Sequence, residues 1–542
     1  MTEAAAMGVR SSSRLAWGGT SLTALLLFFS FGPVGHPFMA FIALVPAAIA
    51  AAQLPDFKTW RRASFVTSWV LWISLLIWLR HVYPPLGWLG LILLTAYCAL
   101  YPFVWLLALR WIFPACNNAG LPARLLAMLG LAGAWGLLEW LRATALTGFG
   151  WLPLAASQTD NPVMLSLCAW AGPYGLSIVL VLFNLGLARW IVRLIGFYQA
   201  DAKLAPLGPL GWLNRITPEL YLGLAPIGLS FLALLDRNSR TAHEAHEFVT
   251  AAVVQTDFDP HGKWDSARLQ DHIEVIGRLT LDVAASQKAD FILWPEAALP
   301  LSLESEPYVA RLSSLAKAAH TPLVIGAIDR RGNGYGNGVA IITEEGVQKP
   351  TYAKRHLVPF GEYVPLADFI PLRKVVPINE DCIAGKDVAL LPLTSRRGFT
   401  FSAGALVCYE DVFPELAREH AQAGADLLIV VTNDAWYGRE AGAYQHAAHS
   451  ILLAAATGLP VVRCGNAGWS GSIDALGRSF PVTNKGTIYF QGSQLISPVA
   501  IAKGPHEMTF WVRYGDWAVS LGGICFGLTY GWRRRRGPSV AV

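Results

Sequence analysis

The sequence predicts a polytopic α-helical membrane domain of about eight spans joined to an α/β domain. Three observations predict it. Hydrophobic residues make up 54% of the 542-residue chain and charged residues only 15%, against about 25% charged in an ordinary soluble domain. Apolar runs that approach or exceed the roughly 20 residues of a bilayer-crossing helix recur through the first part of the chain and once near its end. Between them the apolar runs shrink to strand length and charges appear between them. The expected division is a membrane domain over 1–241, an α/β domain over 242–508, and a last span with a basic tail over 509–542.

The apolar segments fall at about 19–34, 37–54, 65–82, 86–113, 122–141, 163–197, 219–235 and 511–532. The first follows Arg10 and Arg14 like a signal peptide, but a second run comes directly after Gly35-His36-Pro37. It is therefore read as a retained span. Lysine and arginine near the span ends set the orientation. With the N-terminus cytoplasmic, the inner side holds Arg10, Arg14, Lys58, Arg61, Arg62, Arg110, Arg124, Arg189, Arg193, Lys203, Arg215 and Arg533–Arg536. The outer side holds Arg80, Arg142, Arg237, Arg240 and Arg513. Both termini are then cytoplasmic and 242–508 lies outside.

The α/β domain is read from alternating elements. Strands are expected at Phe248–Gln255, Phe291–Trp294, Pro322–Ala327, Leu406–Cys408, Leu427–Thr432 and Val461–Arg463, with a hairpin from Gly338–Thr343 to Val347–Ala353. Helices are expected at Trp264–Ala285, Pro307–His320, from about Phe413, and at Ala443–Ala456. A net charge of +5 over this length gives no case for nucleic acid. The seven cysteines, at 98, 116, 168, 382, 408, 464 and 525, show no CxxC and no regular spacing. Neither a metal site nor a disulfide framework is expected. No G-x-G-x-x-G, P-loop or H-E-x-x-H occurs, and no cofactor is expected.

Three polar residues sit where strands should end. Glu296 closes Phe291-Ile-Leu-Trp-Pro-Glu. Pro295 stops strand pairing there, and a carboxylate desolvated by Trp294 would be a base near neutral pH. The alternative is a helix N-cap. Lys354 lies in Tyr352-Ala-Lys-Arg-His-Leu-Val-Pro-Phe-Gly-Glu-Tyr-Val-Pro365, where interleaved apolar residues imply partial burial. A buried lysine needs a carboxylate partner, and Glu296 and Glu362 are the candidates. Cys408 ends Gly404-Ala-Leu-Val-Cys, just before Tyr409, Glu410 and a helix start whose N–H groups would favour a thiolate. The alternative is a packed structural cysteine. Together a thiol, a carboxylate base and an ammonium make an activated nucleophile with an oxyanion stabiliser, and the Tyr409 N–H is placed as a second donor. The chemistry is acyl transfer through a thioester.

These stretches, WPEAALP, YAKRHLVPFGEYVP and LVCYEDVFPE, resemble in order the Glu–Lys–Cys triad of the nitrilase (carbon–nitrogen hydrolase) superfamily. With seven spans before and one after, and with Val254-Gln255, Trp264-Asp265 and Thr147-Gly-Phe-Gly-Trp-Leu152, the chain resembles the apolipoprotein N-acyltransferase family along nearly its whole length. The resemblance implies a nitrilase-like αββα sandwich on the periplasmic face of a bacterial inner membrane. It implies that Cys408 takes an acyl chain from the sn-1 position of a phospholipid, preferably phosphatidylethanolamine. The chain then passes to the α-amino group of the diacylglyceryl-cysteine of an apolipoprotein. Glu296 would be the base, Lys354 the oxyanion stabiliser and Glu362 the residue that holds Lys354. Tyr409 and Glu410 match positions serving the second half-reaction or local geometry. Trp264 matches a mobile loop near the site, and Asn433 to Trp436 a loop over the pocket.

Both substrates would carry chains buried in lipid, and lifting one into water costs about 0.8 kcal/mol per CH₂. Phe360, Phe369 and Ile370 are therefore candidates to dip into the interface, or else to form a buried loop core. Glu139 and Arg142, three apart on one helix, are expected to pair structurally or meet a headgroup. Cys464 reads as a packed strand residue near the pocket. The rival readings are a membrane-tethered amidase that uses the same triad with water, and a transporter or receptor whose outer domain only binds.

Overall fold

The structure is a computed structural model that describes every residue except 1–2, 84–85, 200–216, 333, 366, 368–372, 374–379, 505–506 and 537–542. Lys203, Arg215, Phe369 and Ile370 lie outside the described residues. The chain forms two compact units, one of residues 1–236 with 516–542 and one of 237–515.

The first unit is helical. Its helices are α1 (Glu3–Phe28), α2 (Val45–Ala52), α3 (Phe57–Leu75), α4 (Leu86–Ile112), α5 (Leu121–Thr144), the short α6 (Pro162–Leu165), α7 (Cys168–Gln199), the start of α8 (Pro218–His243) and the C-terminal helix Trp517–Arg535. Among the described residues, four helices are long and apolar enough to cross a membrane: Leu86–Asn117, Leu121–Thr144, Cys168–Ile195 and Pro218–Arg240. The count falls short of eight in part for a compositional reason. Lys58, Arg61 and Arg62 all lie in the 19-residue α3, and the C-terminal helix ends in Arg533–Arg535. Expected span 163–197 is interrupted at Gly172, whose φ of 70° before Pro173 kinks α7.

Small residues let these helices approach closely. A Cβ on Gly133 would collide with Gly522 of the C-terminal helix, and one on Gly130 with Thr529. The Thr529 hydroxyl donates to Leu126 O at 3.0 Å. Buried Asn184 of α7 accepts from Leu44 N at 2.9 Å and donates to Ala40 O at 2.8 Å, fastening the entry to α2.

Glu139 and Arg142 are buried, but they do not pair with each other as their spacing suggested. Glu139 Oε1 accepts from Trp135 Nε1 and from Leu154 N, both at 2.7 Å. Arg142 Nη1 donates to Phe149 O at 2.8 Å and Trp151 O at 2.6 Å, with its guanidinium 4.8 Å from the Trp72 ring centre. The unpaired backbone of the segment after α5 claims both side chains, because buried N–H and C=O groups need partners.

The second unit holds two six-stranded sheets. One runs in the order β12 (Ser479–Pro481), β11 (Gly471–Ile473), β10 (Val461–Gly465), β9 (Leu427–Thr432), β8 (Thr400–Val407), β7 (Leu390–Thr394). The other runs β13 (Gly492–Leu495), β2 (Ala251–Gln255), β3 (Phe291–Leu293), β4 (Leu323–Arg331), β5 (Gly334–Thr343), β6 (Gly346–Ala353). In each the central strands are parallel and the edges antiparallel. Strand alternation assigns the faces. Val253, Leu293 and Val324 meet Ala405, Val407, Ile429 and Val431 in a core between the sheets. Ala252, Ile292, Trp294 and Ile325 face the other way, onto α9 (Leu269–Ala284) and α10 (Glu306–Ala319). Helices α11 (Pro414–Gln422) and α12 (Gly442–Thr457) pack with the first sheet, completing αββα layering.

Two expected elements differ. Phe248–Gln255 is two strands in different sheets: β1 (His246–Val249) pairs β14 (Val499–Ala502), while β2 enters the large sheet. The break falls at Thr250, whose N–H is taken by Asp290 Oδ2 at 2.7 Å. The helix expected from Trp264 begins later, because Asp265 caps a short 3₁₀ turn, Ser266–Arg268, that precedes α9. Trp264 therefore lies on the preceding loop, 58% exposed.

Candidate active site

Glu296, Lys354 and Cys408 each lie just beyond a strand, on β3, β6 and β8. Glu296 is carried past β3 by Pro295, and its backbone presses against β4 at Gly326. There a Cβ would meet Pro295 O and, at 2.6 Å, Glu296 Cα. Ala298 N closes the turn on Gly326 O at 3.0 Å. Trp294 is not the group that desolvates Glu296. Alternation sends its ring to the helical layer, where Nε1 donates to Thr280 Oγ1 at 3.0 Å.

Lys354 is 1% exposed. Its Nζ lies 2.8 Å from Glu362 Oε1 and 3.5 Å from Glu296 Oε1. Glu362 is itself held, with Oε2 accepting from Val358 N at 2.8 Å. Asn337, on β5, links the two acids: Nδ2 donates to Glu296 Oε1 at 2.7 Å and to Glu362 Oε1 at 3.2 Å. Its carbonyl accepts from Lys354 N at 2.8 Å. Burial alone would pull Lys354 down. Glu362 first, then Glu296 and Cys408, outweigh it, so the ammonium is held above its ordinary value. A second buried lysine, Lys263, donates to Glu296 O at 3.0 Å; burial brings it down to about 8 against the pull of Glu296.

Cys408 is buried and takes a left-handed φ of 52° at the end of β8. It opens a 3₁₀ turn, Cys408–Val412, rather than an α-helix; α11 starts only at Pro414. The expected bias to thiolate is not the resting balance. Burial pushes the thiol up and the Glu296 charge adds to it, while Lys354, the Thr432 hydroxyl and the Asn433 N–H pull back in part. A thiol held above its ordinary value needs a base at the moment of attack.

Glu410 fastens this elbow to the lysine loop. Its Oε1 accepts from Arg355 N at 2.6 Å, His356 N at 3.1 Å and Tyr352 Oη at 2.9 Å, and its Oε2 from Val407 N at 2.8 Å. Burial brings its pKa up to about 7 against the pull of these N–H donors. Tyr409 is buried, edge-on to Phe413 at 5.0 Å.

The remaining anticipated residues sit on loops around these strand ends. Asn433 Oδ1 accepts from Asn466 Nδ2 at 2.8 Å. Trp436 meets His261 edge to face at 5.1 Å, joining its loop to the one that carries Trp264. Phe360 is 49% exposed, with φ 61°. Cys464 is a buried β10 residue whose Sγ faces Leu293 O at 3.4 Å, as expected.

Sequence reasoning missed a fully buried charge cluster behind Cys408. His446 lies between Asp411 Oδ1 at 2.8 Å and Asp434 Oδ1 at 2.7 Å. Arg463 pairs with Asp411 and lies 3.4 Å from Asp434. His446 Nε2 also lies 3.3 Å from the Cys408 carbonyl. The available signal was an arginine inside the apolar run Val461-Val-Arg-Cys and a histidine inside an alanine-rich helix.

Two family models match the chain. Residues 250–509 match the carbon–nitrogen hydrolase family, and residues 23–186 match the apolipoprotein N-acyltransferase N-terminal domain. An apolipoprotein N-acyltransferase of Geobacter metallireducens is 31% identical over 517 residues, covering 92% of each chain. The chain belongs to the apolipoprotein N-acyltransferase family. Relatives of the same name from Azotobacter vinelandii, at 31% identity over 88% of this chain and 85% of theirs, and from Chlorobaculum tepidum, at 26% over 94% of each, agree with the membership. Among solved structures, an amidase from Nesterenkonia sp. AN1 aligns at TM-score 0.35 and 18% identity, covering 52% of this chain and 97% of that one. In this chain the carbon–nitrogen hydrolase match falls mainly on the α/β unit, and the N-terminal match on the helical unit.

Proposed function

We propose that this membrane protein is a phospholipid:apolipoprotein N-acyltransferase with Glu296, Lys354 and Cys408 as its triad. The observation that carries this reading is the buried Lys354 ammonium set between Glu296 and Glu362, with its charge felt at the Cys408 thiol. Glu296 takes the Sγ proton as sulfur attacks the sn-1 ester carbonyl of a phospholipid, phosphatidylethanolamine being the expected donor. Proton transfer removes the carboxylate charge that disfavours the thiolate, so deprotonation and attack are coupled. Lys354 stabilises the tetrahedral oxyanion. Collapse breaks the ester C–O bond, and Glu296 returns the proton to the leaving lysophospholipid. The α-amine of a diacylglyceryl-cysteine then attacks the thioester and loses a proton to Glu296. The amide forms and the thiol is restored. Glu362 and Asn337 hold the lysine and the base, and Glu410 holds the elbow. Trp264, Phe360, Asn433, Tyr409 and Trp436 are assigned to substrate loops and local geometry.

The same reading takes the membrane region as about eight spans over 1–241 and 509–542. It sets 242–508 on the periplasmic side of the inner membrane with both termini cytoplasmic. The N-terminal domain match supports lipid substrates over the hydrolytic amidase alternative.

The test is intact mass of detergent-purified protein after incubation with phosphatidylethanolamine, alongside Cys408→Ser. One acyl chain should add to the native protein, come off with hydroxylamine and be absent in the variant. A diacylglyceryl lipopeptide should discharge it to the amine. No adduct with any phospholipid would overturn the reading.

A further inference from the structure

Lys263, on the loop between β2 and α9, is 2% exposed. Its Nζ donates to the main-chain carbonyl of Glu296 at 3.0 Å. That carbonyl sits in an unusual turn. Pro295 before it has no N–H to donate, and Ala297 after it takes a left-handed φ of 40°. A buried carbonyl needs a donor, but a neutral N–H would serve. Burying an ammonium is costly unless an opposite charge offsets it. The charge set against the burial of Lys263 is Glu296. One residue thus supplies both the acceptor and the anion.

We infer that Lys263 is a positioning residue for Glu296: it fixes the main chain of the base so that the carboxylate stays aimed at Cys408 in both half-reactions. For those two steps the inference rests on the acyltransferase reading. Glu296 is then held at both ends, its side chain by Asn337 at 2.7 Å and Lys354 at 3.5 Å, and its main chain by Lys263. The loop that carries Lys263 and Trp264 has fastenings of its own. Asp257 N donates to Asn466 O at 2.6 Å, and Phe258 N to Asn466 Oδ1 at 3.0 Å. The bond from Lys263 therefore serves the base rather than the loop. A misplacement of about 1 Å at a reacting centre can cost on the order of 100-fold in rate.

The test uses full-length protein in detergent and compares native with Lys263→Met, which keeps the stem and removes the ammonium. Time courses of intact mass follow acylation by phosphatidylethanolamine and discharge to a diacylglyceryl lipopeptide. Both maximal rates should fall by a similar factor, about 10- to 100-fold, because Glu296 moves a proton in each. The half-saturating phospholipid concentration should stay within about two-fold. Slowing of one step alone, or a raised half-saturation at an unchanged rate, would assign Lys263 to a substrate loop and overturn the inference. A second readout does not depend on acyl transfer: the pH midpoint for alkylation of Cys408 by iodoacetamide. Glu296 and Lys354 both act on this thiol. Lys263→Met should move the midpoint part-way toward that of Glu296→Gln, and added to Glu296→Gln it should move it no further. An equal shift in both backgrounds, or none in either, would overturn the inference. Native protein that forms no acyl adduct would sink the acyltransferase reading and leave this second readout to decide on Lys263. If Lys263→Met fails to fold, Lys263→Arg, which keeps the charge and displaces the donors, is read in the same ways, with a several-fold loss expected.

Discussion

Asn337 donates a side-chain N–H at 2.7 Å to Glu296 Oε1, the same oxygen that Lys354 approaches at 3.5 Å. The candidate base is thus held by a neutral amide from β5, two strands away in the sheet, as well as by the lysine. Asn337→Ala should leave the fold intact and lower kcat/KM for acyl transfer. A hydrogen bond to a charged group is worth about 1.5–3 kcal/mol, so the loss should be roughly 10- to 150-fold. Steady-state transfer to a lipopeptide checks it; an unchanged rate would remove Asn337 from the site.

The Glu296 charge raises the Cys408 thiol, second only to burial. Glu296→Gln should therefore lower the pH at which Cys408 reacts with iodoacetamide, even as it abolishes acyl transfer. The sign follows from removing an anion beside an acid whose ionised form is also an anion. Inactivation rates against pH for the two proteins, with Cys408→Ser as the blank, test it. A midpoint that stays or rises would mean that Glu296 does not act on this thiol.

Glu410 gathers three backbone N–H groups and one hydroxyl from two segments. In Glu410→Gln the amide N–H₂ must face one set of these donors. A buried donor left unmatched costs about 1–3 kcal/mol, so the melting temperature should fall. Tyr352→Phe should cost less, because it removes a donor without leaving the carboxylate unbound. Melting of the two variants in one detergent separates them.

Burial would lower the His446 pKa, but Asp411 and then Asp434 outweigh it and Arg463, so the net shift is upward. A histidine raised in the folded state contributes its full stabilisation below its unfolded value of about 6.5. It loses that stabilisation as pH rises through the folded value. The stability gap between native protein and His446→Gln should be wide at acid pH, on the order of 3–5 kcal/mol for a broken buried pair. It should narrow as pH climbs above neutrality. Thermal melts across that range check it, and a gap that widens with pH would contradict the placement of His446 between two acids.

Glu296, Lys354 and Cys408 were legible in the sequence because each is a polar residue closing an apolar run. A chain that buries strands must put such residues at their ends. Asn337 was not legible, since an asparagine in Gly-Tyr-Gly-Asn-Gly reads as a turn. Only the pairing of β5 with β6 carries it to Lys354. Asp411, His446 and Arg463 were hidden for a similar reason: they lie 17 to 52 residues apart and meet only through the packing of α12 behind β8 and β10.

By itself the sequence determined the division into a helical and an α/β unit and the strand ends that carry the candidate triad. Those follow from composition, period and residue type, which are local. Tertiary structure decided which acids hold Lys354 and that burial pushes the Cys408 thiol up. It also sent Trp294 away from Glu296, and turned Glu139 and Arg142 to backbone partners instead of each other. Such outcomes depend on burial and on distances between remote segments, and a charge or hydrogen bond is set by what surrounds it in space.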